Sequence, residues 1–161
     1  MTDLERQAIE KLYLQMYSRL FAYARSSLPN DALAEEAVQE TFVIACQKSE
    51  SFLNSPNPAG WLVITLRNVM SNTIRKQQTA QRILAEYLDS LGIESVSSQN
   101  HLDIKVLYGD LAKTDDFMLL VEMSIEGKSY QQMAESRGIS MATCRKRVQR
   151  ARENLQKKIH T

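Results

Sequence analysis

Cysteine, glycine, proline and tryptophan are all scarce in this chain of 161 residues, which holds two Cys, five Gly, three Pro and one Trp. Cys46 and Cys144 lie far apart and neither belongs to a Cys-x-x-Cys pair. No disulfide framework follows, and two reduced cysteines packed in helices fit a reducing cytoplasm. His101 and His160 are the two histidines, so no metal site is legible and no cofactor is expected. Few glycines and prolines mean few tight turns, which suits long helices better than a sheet. No apolar run approaches the ~18 residues of a membrane span. The first residues carry Asp3, Glu5 and Glu10, unlike a secretory signal. Membrane insertion is therefore not expected. A Ser/His/Asp or Cys/His constellation is missing, as is a P-loop. The carboxylate pairs Glu35/Glu36 and Asp115/Asp116 are adjacent in sequence, so neither pair shares one helix face. An enzyme is the poorest of the readings.

What is present is an uneven charge. The net charge is only +1, but residues 1–76 carry eight acids and eight bases, 77–116 seven acids and three bases, and 117–161 four acids and nine bases. A basic C-terminal third after an acidic middle suggests one element that meets a polyanion and a connector that does not.

Apolar residues recur at helical spacing from Ile9 to Ala24, predicting a helix over 4–27 that Pro29 ends. Asp31 is expected to cap a second helix over about 32–48, with Ala34, Ala37, Val38, Thr41 and Ala45 inward and Glu35, Glu36, Gln39 and Glu40 on other faces. Two prolines make residues 49–60 a loop. A third helix is expected from Trp61 to about Gln78. Ile83, Leu84, Tyr87, Leu88 and Leu91 suggest that it continues or restarts before Gly92, and residues 93–101 read as a flexible connector. Ile104, Leu107 and Leu111 predict a short helix, and Phe117, Leu120 and Val121 another. The expected fold is therefore all-α: two small helical domains, over 1–78 and 102–161, joined by a flexible linker over 79–101.

The stretch from Ser129 to Leu155 is the most legible. Ser129 and Gln132 form a capping box, and Gly138 suits the left-handed conformation of a sharp turn. Ser140 caps the next helix, whose Cys144, Val148, Ala151 and Leu155 make one apolar stripe. Its other faces carry Arg145, Lys146, Arg147, Arg150 and Arg152. Two helices, a glycine turn and a cationic second helix are the outline of a helix-turn-helix. Met141, Ala142, Arg145, Lys146 and Gln149 would face base edges, since Arg pairs bidentately with guanine and Gln with adenine. Arg147, Arg150 and Arg152 would reach phosphates. In the N-terminal half, Phe52, Asn54, Ser55 and Asn57 suit stacking on and hydrogen bonding to an unstacked base, although core packing accounts for Phe52 equally well and for Trp61 better. Arg67, Asn68, Arg75 and Lys76 would face a nearby backbone. The acidic Glu36, Gln39 and Glu40 face suits solvent or a basic protein partner.

Three stretches resemble the extracytoplasmic-function group of bacterial sigma factors. They are Ala34-Glu35-Glu36-Ala37-Val38-Gln39-Glu40-Thr41-Phe42; Trp61-Leu62 followed by Arg67-Asn68 and Arg75; and Gly127-Lys128-Ser129-Tyr130 through Gly138-Ile139-Ser140 to Thr143, Arg147 and Arg150-Ala151-Arg152. Together they cover nearly all of the chain outside the connector. The resemblance implies a region 2-like N-terminal domain and a region 4-like C-terminal domain. The first would bind core RNA polymerase through Glu36, Gln39 and Glu40. It would melt promoter DNA with Phe52, Asn54, Arg67, Asn68, Asn72, Arg75 and Lys76 at the downstream element, Phe52 and Asn68 capturing a flipped base. The second would read the upstream element with Met141, Thr143, Arg145, Lys146, Gln149 and Arg150, and would dock on the polymerase flap. A monomer in the cytoplasm is implied, and an anti-sigma factor is a further partner, to which the apolar 83–91 segment would contribute. The sequence departs from the group at Asn72, where Asp is frequent, at Gln132, usually acidic, and at Cys144, usually Val. Asn72 removes a negative charge beside DNA and so bears on promoter preference. The rival reading is a stand-alone helix-turn-helix regulator, which predicts a ligand pocket and a dimer.

Overall fold

The computed structural model describes residues 1–92 and 113–160. The described residues form seven helices and no strand: α1 (Asp3–Ser27), α2 (Asp31–Gln47), α3 (Ser49–Leu53), α4 (Pro58–Ser90), α5 (Asp115–Ser124), α6 (Tyr130–Arg137) and α7 (Met141–Ile159). None of them is long and apolar enough to cross a membrane. The expected connector at 93–101 and the helix expected around Ile104, Leu107 and Leu111 lie outside the described residues. The chain divides into two compact units, Met1–Ile74 and Arg75–Thr161.

In the N-terminal unit, α1 opens on a capping box in which Thr2 and Glu5 satisfy each other's backbone N–H groups. Only Leu28, Pro29 and Asn30 separate α1 from α2, and so short a link makes the two helices neighbours. Asn30, rather than Asp31, caps α2, its side-chain oxygen accepting from the Leu33 N–H at 2.9 Å. Asp31 instead pairs with Arg25 at the end of α1. The predicted inner face of α2 is buried, and the Thr41 hydroxyl meets its hydrogen-bonding need within the helix by donating to the Ala37 carbonyl at 2.8 Å. Ile9, Met16, Leu20, Leu33, Val38, Phe42, Phe52, Leu62, Leu66 and Met70 make the core with the buried alanines.

The segment 49–60 is more ordered than its prolines suggested. Ser49–Leu53 forms a short helix, and four residues separate it from α4, which begins at Pro58. Proline is favoured at the first helical position, where its missing N–H would be unsatisfied in any case. Asn57 caps α4, its side-chain oxygen accepting from the Gly60 N–H at 3.1 Å. A Cβ on Gly60 would lie 2.7 Å from the Asn57 amide nitrogen, so a larger residue there would have to displace the capping side chain.

The C-terminal unit holds the largest difference from expectation. Of the two courses the apolar residues at 83–91 left open, the helix continues: α4 runs unbroken past Gln78 to Ser90. Its Ala80, Ile83, Leu84, Tyr87 and Leu88 are buried with Phe117, Leu119, Leu120, Val121 and Met123 of α5, Met133 and Ala134 of α6, and Cys144, Val148, Ala151 and Leu155 of α7. Residues 79–90, expected at the start of a flexible linker, are thus a core helix of this unit. Their spacing of i, i+3, i+4, i+7 and i+8 is one apolar stripe, and it is buried against α5, α6 and α7. The same burial removes most of the 83–91 segment from any exposed contact with a partner. Of its apolar residues, Leu91 is the one left exposed, at 47%.

Polar ties fix α5, α6 and α7 to one another. Arg137, at the end of α6, donates from its Nη2 to the buried Glu122 carboxylate of α5 and from its Nε to Asp115 at 3.3 Å. Lys128 reaches the same Glu122 at 3.0 Å. Asn154 of α7 donates to Asp116 of α5 at 3.1 Å.

Candidate nucleic-acid interface

The second helix of the C-terminal pair owes its orientation to three local devices. Ser129 and Gln132 close the capping box that starts α6. Gly138 ends it at φ 65°, in the left-handed region, which costs glycine little because it has no Cβ. Ser140 then starts α7, its hydroxyl oxygen accepting from the Thr143 N–H at 3.1 Å. Cys144, Val148, Ala151 and Leu155 seat one stripe of α7 in the core. By helical geometry, at ~100° per residue, the opposite face presents Ala142, Arg145, Lys146, Gln149, Arg150 and Glu153, all exposed. Thr143 and Arg147 are exposed beside that face. A helix carrying four cations at 145, 146, 147 and 150, anchored by the stripe behind them, is shaped to lie in a groove of duplex DNA.

Two assignments change. Met141 is half-buried and packs against the core, so its side chain is largely withdrawn from base edges. Arg152 is half-buried as well. Its Nη2 points to the Met123 sulfur at 3.9 Å, so it braces α7 on α5 rather than reaching a phosphate. Gln149 holds Glu153 at 3.4 Å, placing a carboxylate within the cationic face. That carboxylate was not singled out in the sequence, though its position one turn after Gln149 marks it.

In the N-terminal unit, Phe52 must also be reassigned. Its ring has no exposed surface and packs on Trp61, with centroids 4.8 Å apart. A ring held there is part of the core and cannot stack on a base. Asn54 lies exposed at the end of α3. Ser55 and Asn57, two further candidates, shape the loop: Ser55 accepts from the Asn57 N–H, and Asn57 caps α4. Along α4, the adjacent Arg67 and Asn68 are exposed, Asn72 is exposed one turn after Asn68, and Arg75 and Lys76 are exposed farther on. The first three belong to the N-terminal unit, Arg75 and Lys76 to the C-terminal one. Lys76 there lies 5.8 Å from the ring centre of Tyr130, and Arg145 lies 5.5 Å from it. Tyr130 was not among the functional candidates. Its place next to the Ser129 cap was the available signal.

On α2, Gln39 is exposed and Glu36 and Glu40 are half-exposed. An open apolar groove lined by Tyr13, Phe42, Val43 and Cys46 adjoins Gln39. Tyr13 meets Phe42 edge-on at 4.9 Å and Tyr17 at 5.3 Å. Burial, then the charge of Glu35, raises the Tyr17 phenol above its ordinary pKa.

Comparison with known proteins agrees with this arrangement. Residues 12–80 match the family described as sigma-70 region 2, and residues 115–155 match sigma-70, region 4. The first match ends in α4; the second spans α5, α6 and most of α7. The ECF RNA polymerase sigma factor EcfG of Rhodopseudomonas palustris (strain TIE-1) is 30% identical over 142 residues, covering 84% of this chain and 76% of that protein. With both sigma regions present in order on two helical units, the chain belongs to the ECF group of sigma factors and acts as an alternative sigma factor in transcription initiation.

Proposed function

We propose that this sigma factor divides promoter recognition between its two units. The observation that carries the proposal is α7, whose buried stripe turns Arg145, Lys146, Gln149 and Arg150 outward behind a glycine turn. Arg145, Lys146 and Gln149, with Thr143, read the upstream element in the major groove, and Arg150 holds a phosphate beside it. Arg67, Asn68 and Asn72 of α4, with Asn54 before it, engage the downstream element, and Arg75 and Lys76 follow toward the backbone. Melting needs no hydrolysis: flipping a base costs a few kcal/mol of stacking and pairing, and contacts to the unpaired strand offset it. The protein has no catalytic role of its own and works in the cytoplasm as a monomer that depends on core polymerase. An anti-sigma factor is a further partner, on surfaces other than the buried 83–88 stripe.

Run-off transcription with purified core polymerase on a library of upstream fragments tests the reading. Discrete transcripts that share two spaced elements are expected. DNA binding without polymerase, and no transcripts with it, would instead support a stand-alone regulator. Two variants refine the assignment. Arg145→Ala is expected to cost about 1–3 kcal/mol on the matched promoter and less on one altered at the contacted base. Arg150→Ala, at a phosphate, should weaken all sequences alike and reduce the salt slope by about one; filter binding across a salt series separates the two.

For the polymerase face, Glu40→Arg places a cation where a basic partner is proposed to bind. Core polymerase affinity is expected to fall at least about tenfold, a change of ~1.4 kcal/mol, while circular dichroism shows the helical content retained. Undiminished binding in a pull-down would remove this face from the polymerase contact.

A further inference from the structure

Arg145 is exposed on α7, and the ring of Tyr130 is the partner that the described residues offer it. Its guanidinium carbon stands 5.5 Å from the ring centre, within the ~6 Å reach of a cation–π contact. The ring itself is well fixed. Tyr130 is the first residue of α6, directly after the Ser129 hydroxyl that accepts from the Gln132 N–H at 3.1 Å. Gln132 returns the contact by accepting from the Ser129 N–H at 3.0 Å. The half-buried ring also packs against the core of the C-terminal unit. Lys76 approaches the same ring at 5.8 Å, so its π-surface draws two cations. A long exposed arginine samples many rotamers, whereas a bidentate contact to guanine needs its planar fork in one orientation. Contact with a half-buried ring held against the core narrows those rotamers before DNA arrives.

We propose that Tyr130 is a positioning residue for Arg145, and that through it α6 sets base discrimination at one position of the upstream element. The proposal rests on the reading of Arg145 as a base contact. Tyr130 need not touch DNA. Its contribution is the electron-rich face of the ring, not the hydroxyl, so phenylalanine should serve as well. A ring of the same shape without that face should not, because the attraction is to the ring quadrupole.

The experiment uses the full-length protein with core polymerase and four promoters that differ at a single base pair. That base pair is the one at which Arg145→Ala loses discrimination. Tyr130→Phe is expected to keep the wild-type preference. Tyr130→Leu, and a pentafluorinated phenylalanine at position 130, are expected to lose most of it, about tenfold, with binding to the three disfavoured promoters unchanged. The fluorinated ring keeps the shape, so it decides the matter even if the leucine variant does not fold. Full discrimination with the fluorinated ring overturns the proposal. So does an equal loss on all four promoters, which would mark a phosphate contact or a scaffold role. If Arg145→Ala loses no discrimination at any position, the reading of Arg145 itself fails first.

Discussion

Leu88→Ala is expected to lower the unfolding free energy of the C-terminal unit by about 2–5 kcal/mol, the range for a fully buried leucine whose removal leaves a cavity. Leu88 has no exposed surface and lies in the core formed with α5, α6 and α7. A residue in a solvated linker would change stability by no more than ~0.5 kcal/mol. The substitution therefore separates two descriptions of residues 79–90 by several-fold in effect. Urea unfolding of the full chain, followed by circular dichroism, supplies the measurement. Domains of this size have about 5–15 kcal/mol in all, so the loss would remove a large share of the unit's stability. A midpoint equal to wild type would return the segment to the linker. Leu91→Ala is the internal control, because that side chain is 47% exposed.

Arg137→Met should destabilise the same unit by about 3 kcal/mol, the lower end of the range for breaking a buried ion pair. Glu122 is nearly buried, with 8% of its side chain exposed, and Arg137 has 16%. Methionine keeps much of the aliphatic packing of arginine, so the loss reports the charge left behind. Lys128, at 3.0 Å, still partners Glu122, which limits the effect. The double variant Arg137→Met/Glu122→Leu is expected to recover much of the loss, since replacing both partners removes the stranded carboxylate.

The same network predicts a pH dependence. Burial alone would raise the Glu122 carboxyl, but hydrogen bonds from Arg137 and Lys128, with their charges, outweigh it and hold the group below its ordinary range. A carboxyl lowered on folding adds stability above its unfolded pKa, about 4.3 for glutamate. That stability is lost as the pH falls from there through the lower folded value. For Lys128, burial lowers the pKa, but Glu122 and then Glu126 raise it by more, and the net shift is upward. Its contribution is complete below about pH 10.4, the unfolded lysine value, and is lost as the pH rises through the folded one. Unfolding midpoints measured from pH 6 down to 3 should fall more steeply for wild type than for Glu122→Gln. Parallel curves would show that Glu122 does not couple folding to protons.

Local chemistry made much of the molecule legible in advance. The helix pair at 129–155 could be read because each of its signals acts within a few residues. Ser129 and Gln132 satisfy orphan backbone N–H groups, Gly138 tolerates a positive φ, and four apolar residues share one stripe. The acidic α2 and the cationic face of α7 were legible for the same reason, since periodicity alone separates a buried face from an exposed one. The reading failed where a neighbour distant in sequence decided the outcome. An aromatic in a polar loop is compatible with base stacking or with a core, and Trp61 settled Phe52 as core. Arg152 looks like any other cation of α7 until Met123 and α5 are placed against it.

The division is clearest in α4. Its apolar stripe at 80–88 showed that a helix was possible there, but not what would cover it. The core of α5, α6 and α7 covers it, and residues from Phe117 to Leu155 supply that surface. By itself, then, the sequence determined the all-helical class, the two sigma regions and the cationic face of α7, all properties set by short-range spacing and capping. Only the tertiary structure decided that the end of α4 belongs to the C-terminal core, that Phe52 is withdrawn from solvent and that the Tyr130 ring stands beside Arg145. Each of these depends on which surfaces meet, and residues far apart along the chain supply them.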